Sequence, residues 1–228
     1  LHSLRRLQLD HNQLVDVPMS LMMLTALELL NLEFNQLILI PAVHNMLSLR
    51  VLLLSHNLLN VTPPGLGNLT NLSSLHMSYN QISKLSPEIG GATSLTQLLI
   101  DHNELAVIPP EFGALSNLTD LGLEGNSWER PPSVIIDQGC EVIVEYLSRI
   151  LEARSTNLLY MDNMKLPFLP PEMLDMPSLT GLSLADNQFS ELDPLIGAYT
   201  NLTALQLDRN LLSLLPSSIC NLTKLRTI

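Results

Sequence analysis

The chain has 228 residues, of which 46% are apolar and only 4% aromatic, so Leu, Ile, Val and Met must build its core. A formal charge of −11 excludes a nucleic-acid or anionic-membrane surface, because both need clustered Lys and Arg. The longest mostly apolar stretch, Leu21–Leu30, is broken by Thr25 and Glu28 and falls short of the roughly 18 to 20 residues that a membrane span requires.

Two cysteines, Cys140 and Cys220, are too few for a disulfide framework. With no signal peptide at the start, this predicts a cytoplasmic protein. A chain that opens at Leu1 and stops at Ile228 part-way through a repeating unit reads as a piece of something longer.

The repeating unit is the dominant feature. An asparagine recurs at Asn12, Asn35, Asn57, Asn80, Asn103 and Asn126, every 22 or 23 residues, and again at Asn187 and Asn210. Between these two groups Met164 takes the asparagine's place, with Leu159, Met161, Leu166 and Leu169-Pro170 keeping the surrounding pattern. Nine units result, and Leu225 with Ile228 open a tenth.

Each unit begins with an alternation of Leu, another residue and Leu, which predicts a short strand with one face inward. Leu7 and Leu9, Leu30 and Leu32, and Leu75 and Met77 should point into the core, with successive strands pairing in parallel. The column asparagine then leaves the strand, where its amide can bond the backbone of the neighbouring unit. Proline follows at Pro18, Pro41, Pro63, Pro87, Pro109, Pro131, Pro170, Pro194 and Pro216, where the chain turns onto the outer wall. Glycine at Gly67, Gly90, Gly113 and Gly197 predicts bends at positive φ on the way back.

Residues 132–155 break the period. Ile143, Tyr146, Leu147, Ile150 and Leu151 recur at helical spacing while Glu141, Glu145, Arg149 and Glu152 take other faces. Gly139 separates a short first turn from this longer helix. Its apolar stripe predicts packing on the outer wall of units six and seven. The expected organisation is therefore units one to six over 1–131, a helical insertion over 132–155, and units seven to nine with the start of a tenth over 156–228.

Side chains beside the strand leucines should line a shared inner wall. Just after the second leucine the column runs Asp10, Glu33, Ser55, Ser78, Asp101, Glu124, Asp162, Ala185 and Asp208, six acidic residues of nine. The next column runs His11, Phe34, His56, Tyr79, His102, Gly125, Asn163, Asp186 and Arg209, and the column between the leucines includes His76 and Tyr160. Carboxylates beside aromatic and histidine side chains suit protein recognition, where a few large side chains carry most of the binding energy. The candidate partner-binding residues are Asp10, His11, Glu33, Phe34, His56, His76, Tyr79, Asp101, His102, Glu124, Tyr160, Asp162, Asp208 and Arg209. The expected partner is another protein with a basic surface.

No catalytic constellation is legible: there is no nucleophile elbow, no phosphate-cradling G-x-x-x-x-G-K and no H-E-x-x-H. His56 and His76 stand in adjacent units without a third ligand, so no metal and no cofactor are expected. Six N-x-[ST] sequons, at Asn60, Asn68, Asn71, Asn117, Asn201 and Asn221, are the argument for an extracellular protein. The repeat itself generates three of them, because a short polar residue recurs before the first leucine.

Segments such as Leu7-Gln8-Leu9-Asp10-His11-Asn12-Gln13-Leu14 resemble the leucine-rich repeat family, over nearly the whole chain. That resemblance implies an α/β solenoid with a parallel sheet on its concave face. The L-P-x-x-[IL]-G variant is similar to the intracellular type, including Ras-pathway scaffolds and Roco-type arrays, and the element that follows resembles one in leucine-rich repeat-containing protein 40. Gly125-Asn126-Ser127-Trp128-Glu129-Arg130-Pro131-Pro132, followed by Gln138-Gly139-Cys140 and Glu145-Tyr146-Leu147, resembles the G-N-P…P-P…Q-G-T…E-Y-L element that closes or interrupts such arrays. Ser127 and Cys140 depart from it. The resemblance implies a protein-interaction scaffold without enzymatic activity. Two alternatives stand beside it: a regulatory array of a larger kinase or GTPase, and an extracellular receptor-type ectodomain.

Overall fold

The computed structural model describes residues 3–227 and separates into two compact units, the first ending at Glu129 and the second beginning at Arg130. In the first unit six three-residue strands form one parallel sheet in chain order: β1 (Arg6–Gln8), β2 (Leu29–Asn31), β3 (Val51–Leu53), β4 (Ser74–His76), β5 (Gln97–Leu99) and β6 (Asp120–Gly122). Each strand is short because only the Leu-x-Leu core of the unit alternates. Leu30, Leu52, Leu75 and Leu98 occupy the same register and are wholly buried, as are Leu32, Leu54, Met77 and Ile100. Burying each such side chain stabilises the fold by about 1.5–3 kcal/mol. Leu7 and Leu9 lie at the sheet's first strand and are half-buried.

The asparagine column holds one unit to the next. Asn80 Nδ2 donates to the carbonyls of Leu54 (3.1 Å), Met77 (3.0 Å) and Ser78 (3.3 Å), and its Oδ1 accepts from the Leu59 amide at 2.9 Å. Asn35, Asn57, Asn103 and Asn126 repeat the arrangement, each reaching a carbonyl in the preceding unit. Asn12 bonds only Leu9 and Asp10 of its own unit.

The prolines begin short 3-10 helices on the return path, over Met19–Met23, Pro87–Gly91 and Pro110–Ala114. Pro18 and Pro109 stand just before the first helical residue, and Pro87 and Pro110 are that residue. Proline's fixed φ and missing N–H suit this position. The glycine column corrects a sequence expectation. Gly67, Gly90, Gly113 and Gly197 sit within 3-10 helices and none has positive φ; that conformation is found instead at Gly65, Gly125 and Gly139. What two of them require is room: a Cβ on Gly67 would strike the Glu88 carbonyl oxygen, and one on Gly90 that of Glu111. The backbone of the next unit passes too close for any side chain.

The second unit starts with two helices, α1 (Ser133–Ile136) and α2 (Cys140–Thr156), separated around Gly139 at φ 91°. Asn157, in the left-handed region, ends α2. Three parallel strands follow, β7 (Leu158–Tyr160), β8 (Gly181–Ser183) and β9 (Ala204–Gln206). Thr227 makes a single parallel bridge to Ala204, the beginning of a tenth unit, while Ile228 lies outside the described residues. The sequence expectation was that every successive strand pairs; the strands form two sheets, of six and three.

Helix α2 packs on β7, and its Tyr146 reaches Glu172 in the 3-10 helix Pro171–Asp175 of unit seven. Its buried face is Ile143, Tyr146, Leu147, Ile150 and Ala153, with Leu151 half-buried. Along both sheets a strand offers two carbonyls to amides of the preceding unit, as Leu99 and Asp101 do to Met77 and Tyr79. At β7 the equivalent carbonyls are Tyr160 and Asp162, and Arg149 of α2 donates to both, at 3.3 and 3.0 Å. The guanidinium thus supplies the protons a preceding strand would supply. Replacing Arg149 by Ala should cost about 1 kcal/mol and accelerate amide exchange selectively at β7, which hydrogen-exchange mass spectrometry would reveal; uniform exchange across the second unit would contradict the role.

Beneath α2 lies a buried polar pair. Tyr146, the largest fully buried side chain described, donates its hydroxyl to Glu172 Oε2, while Glu172 Oε1 has no hydrogen-bond partner. Burial pushes the Glu172 carboxyl above its ordinary value, against the smaller opposing pull of the Tyr146 hydrogen bond and of Arg130. Burial and the adjacent carboxylate raise the Tyr146 phenol likewise.

Candidate interaction face

The two columns that follow each strand have different backbones, and this sorts their functions. In the second column every member is left-handed: His11, Phe34, His56, Tyr79, His102 and Gly125 in the first unit, and Asn163, Asp186 and Arg209 in the second, with the non-glycine members at φ 51–58°. For a bulky residue such as Phe34 that conformation costs roughly 1–2 kcal/mol. The reversal sends the next residue, the asparagine, inward. Backbone bonds hold it, the amides of His11, Phe34, His56, Tyr79 and His102 donating to the carbonyls of Glu33, Ser55, Ser78, Asp101 and Glu124.

Identical backbone geometry at each step lays the rings of the first unit face to face. His11 and Phe34 stack with centroids 4.2 Å apart, Phe34 and His56 at 4.2 Å, His56 and Tyr79 at 4.4 Å, and Tyr79 and His102 at 4.3 Å, with planes within 18° of parallel. The run ends at Gly125, where the His102 ring lies so close that a Cβ would collide with its Nδ1. All five ring residues are exposed. The sequence placed them in one column; that they touch as a ladder depends on the left-handed turn.

Beside the ladder is an open concavity of about 540 Å³, lined by Glu33, Phe34, Ser55, His56, His76, Ser78, Tyr79, Leu99, Asp101, His102 and Glu124. Eight of the residues proposed from the sequence are therefore brought together, and His11 joins them through its stack on Phe34. Asp10 lies half-buried in the same column of the first unit. No Lys or Arg lines the concavity.

The acidic column is less uniform than it reads. Asp101 accepts from the Ser78 hydroxyl at 3.1 Å and from the Glu124 amide at 3.0 Å, so it ties units together. Asp162 does the same in the second unit, accepting from the Ser183 hydroxyl and the Ala185 amide. Glu33, with His76 Nδ1 3.9 Å away, and the exposed Glu124 are the carboxylates left facing the concavity. The sequence reading missed a polar chain at the strand positions: Ser74 Oγ donates to Gln97 Oε1 at 2.8 Å, His76 Nε2 meets the same oxygen at 2.7 Å, and Gln97 Nε2 donates to Asp120 at 2.7 Å. Reading the strand columns as well as the post-strand ones would have found it.

In the second unit Tyr160 is exposed at the end of β7, and Arg209 is engaged rather than available. It forms a two-pronged pair with Asp186 and contacts Asp208 at 3.1 Å, which holds the Asp186 carboxyl below its usual range. Among the described residues no group of three His, Cys, Asp or Glu is placed to hold a metal ion. No described helix is long and apolar enough to cross a membrane.

Residues 47–105 match the model of the leucine rich repeat family. No curated protein matches the chain. Solved structures do: the leucine-rich repeat protein LIC12759 of Leptospira interrogans, 27% identical over 100% of this chain and 54% of that one, with a TM-score of 0.44; and the functional domain of InlJ from Listeria monocytogenes, 18% identical over 100% and 39%, with a TM-score of 0.51. A third is the ectodomain of the Arabidopsis thaliana receptor kinase GASSHO1/SCHENGEN3, solved in complex with CASPARIAN STRIP INTEGRITY FACTOR 2, 27% identical over 99% and 24%, with a TM-score of 0.49. The chain spans about half the length of the first of these and less of the other two. The repeated strands, their asparagine bonds, the family match and the InlJ likeness together make the fold a leucine-rich repeat solenoid.

Proposed function

We propose that this chain is a cytoplasmic protein-interaction scaffold without catalytic activity, whose first unit receives a partner with a basic surface on the open face of its sheet. Solenoids of stacked repeats use such faces for binding generally. The observation that carries the reading is the concavity: it is roomy, Glu33 and Glu124 line it, and no Lys or Arg is among its lining residues. Such a face steers basic partners at a distance and raises their association rate. The second unit does not enter this proposal, because Arg209 and Asp162 are spent on bonds within it.

The bonding of Asp101 decides how to test this. Reversing its charge would break two inter-unit hydrogen bonds and confuse fold with binding, so Glu33→Lys with Glu124→Lys is the clean pair. A fluorescein-labelled peptide of alternating Arg and Ser should bind the wild-type chain at low salt and bind the double variant about tenfold more weakly, chiefly through a slower association rate. Equal affinity, with unchanged circular dichroism and melting, would remove the carboxylates from the mechanism.

A further inference from the structure

The ring ladder makes a more specific demand on the partner than charge does. Stacking at 4.2–4.4 Å covers the faces of the inner rings, Phe34, His56 and Tyr79, on both sides. What they show to solvent is therefore their edges, and Phe34 and Tyr79 remain 41% and 48% exposed. An aromatic edge carries positive partial charge and a face negative. The ladder is thus a poor seat for a cation, which seeks a face, and a good one for an aromatic side chain laid flat across it. The carboxylates of Glu33 and Glu124, on the same concavity, are the complementary seats for cations.

We infer that the ladder of the first unit binds an extended segment of a partner protein in which an aromatic side chain, resting face-down on the edges of Phe34, His56 and Tyr79, is flanked by Arg or Lys residues. This rests on the basic-partner reading and adds an aromatic contact to it. Five rungs cover roughly 15–20 Å at the spacing of paired strands, the length of about five or six extended residues. A segment of that size can place one aromatic at the ladder's middle and cations toward both ends. Leu99 adds an apolar side chain to the lining of the concavity, and edge-to-face aromatic pairs contribute beyond the area they bury.

The test compares three labelled peptides of equal length against the whole chain: alternating Arg and Tyr, alternating Arg and Ser, and alternating Glu and Tyr. Arg–Tyr should bind about tenfold more tightly than Arg–Ser, and Glu–Tyr should not bind. In Phe34→Asn with Tyr79→Asn the Arg–Tyr advantage should vanish while Arg–Ser affinity stays as in the wild type. Asparagine is chosen because Asn163 already occupies the same column at φ 58°, so the backbone accepts it; a melting curve checks the fold. Equal binding of Arg–Tyr and Arg–Ser to the wild-type chain overturns the ladder inference and leaves the acidic-face reading standing. Loss of both basic peptides from the wild-type chain overturns that reading as well. An Arg–Tyr preference that survives in the Asn variant also overturns the inference, since the aromatic contact would then lie elsewhere.

Discussion

Asn80→Ala should destabilise the first unit by about 1–3 kcal/mol, the cost of orphaning a buried backbone donor. The amide is buried and makes four bonds, three from Nδ2 and one to Oδ1. Removing it strands the Leu59 amide, while the Leu54 carbonyl keeps the Asn57 Nδ2 donor at 3.1 Å, and an orphaned buried backbone group costs about 1–3 kcal/mol. Asn12→Ala is the internal control. That side chain is exposed and bonds only its own unit, so its loss should stay within about 0.5 kcal/mol. Chemical denaturation of both variants measures the difference. Equal losses would mean that the asparagines act within their own turns and not between units.

The second large effect is pH-dependent. Glu172 is buried with one carboxyl oxygen unpartnered, and burial raises its folded-state pKa above the ordinary 4.5. The folded protein therefore holds this proton more tightly than the unfolded chain does. Its contribution to stability is complete below pH 4.5 and is lost as the pH rises through the raised folded value. Glu172→Gln keeps an acceptor for the Tyr146 hydroxyl and has no proton to lose. The variant should melt with the wild type at pH 4 and above it at pH 8, by an amount on the order of 1–3 kcal/mol, the usual penalty for an uncompensated buried polar group. A wild-type melting temperature that stays level with the variant's across this range would mean that the carboxyl is ionised at no cost, through water or a partner reaching Oε1.

What the sequence made legible follows from physical period. Leu30, Leu32 and Asn35 are recognisable because every unit needs the same two inward leucines and the same amide at the same step, and 22 or 23 residues bring each chemistry back. The separation of the sheet after β6 was half legible. Residues 132–155 break the period and read as a helix, but nothing in the spacing says that Arg149 of that helix bonds the β7 carbonyls. Gly67 and Gly90 were found but misread: their need for space comes from Glu88 and Glu111, in the next unit. The face itself was half legible. His11, Phe34, His56, Tyr79 and His102 could be aligned by counting, yet their contact is set by a positive φ that their own side chains do not announce and that only Gly125 and Asn163 in the same column hint at. Asp101 and Asp162 looked like free charge because a hydrogen bond to the adjacent unit's amide leaves no mark on either residue.

Arg149 reaches further than the one strand edge it covers. An open row of carbonyls and amides is the usual template for unwanted pairing with another chain, and here one guanidinium, fixed on a helix, occupies the two acceptor sites most open to it. β7 consequently needs no upstream strand to set its register. The stretch from Arg130 onward carries its own starting block for the three strands that follow.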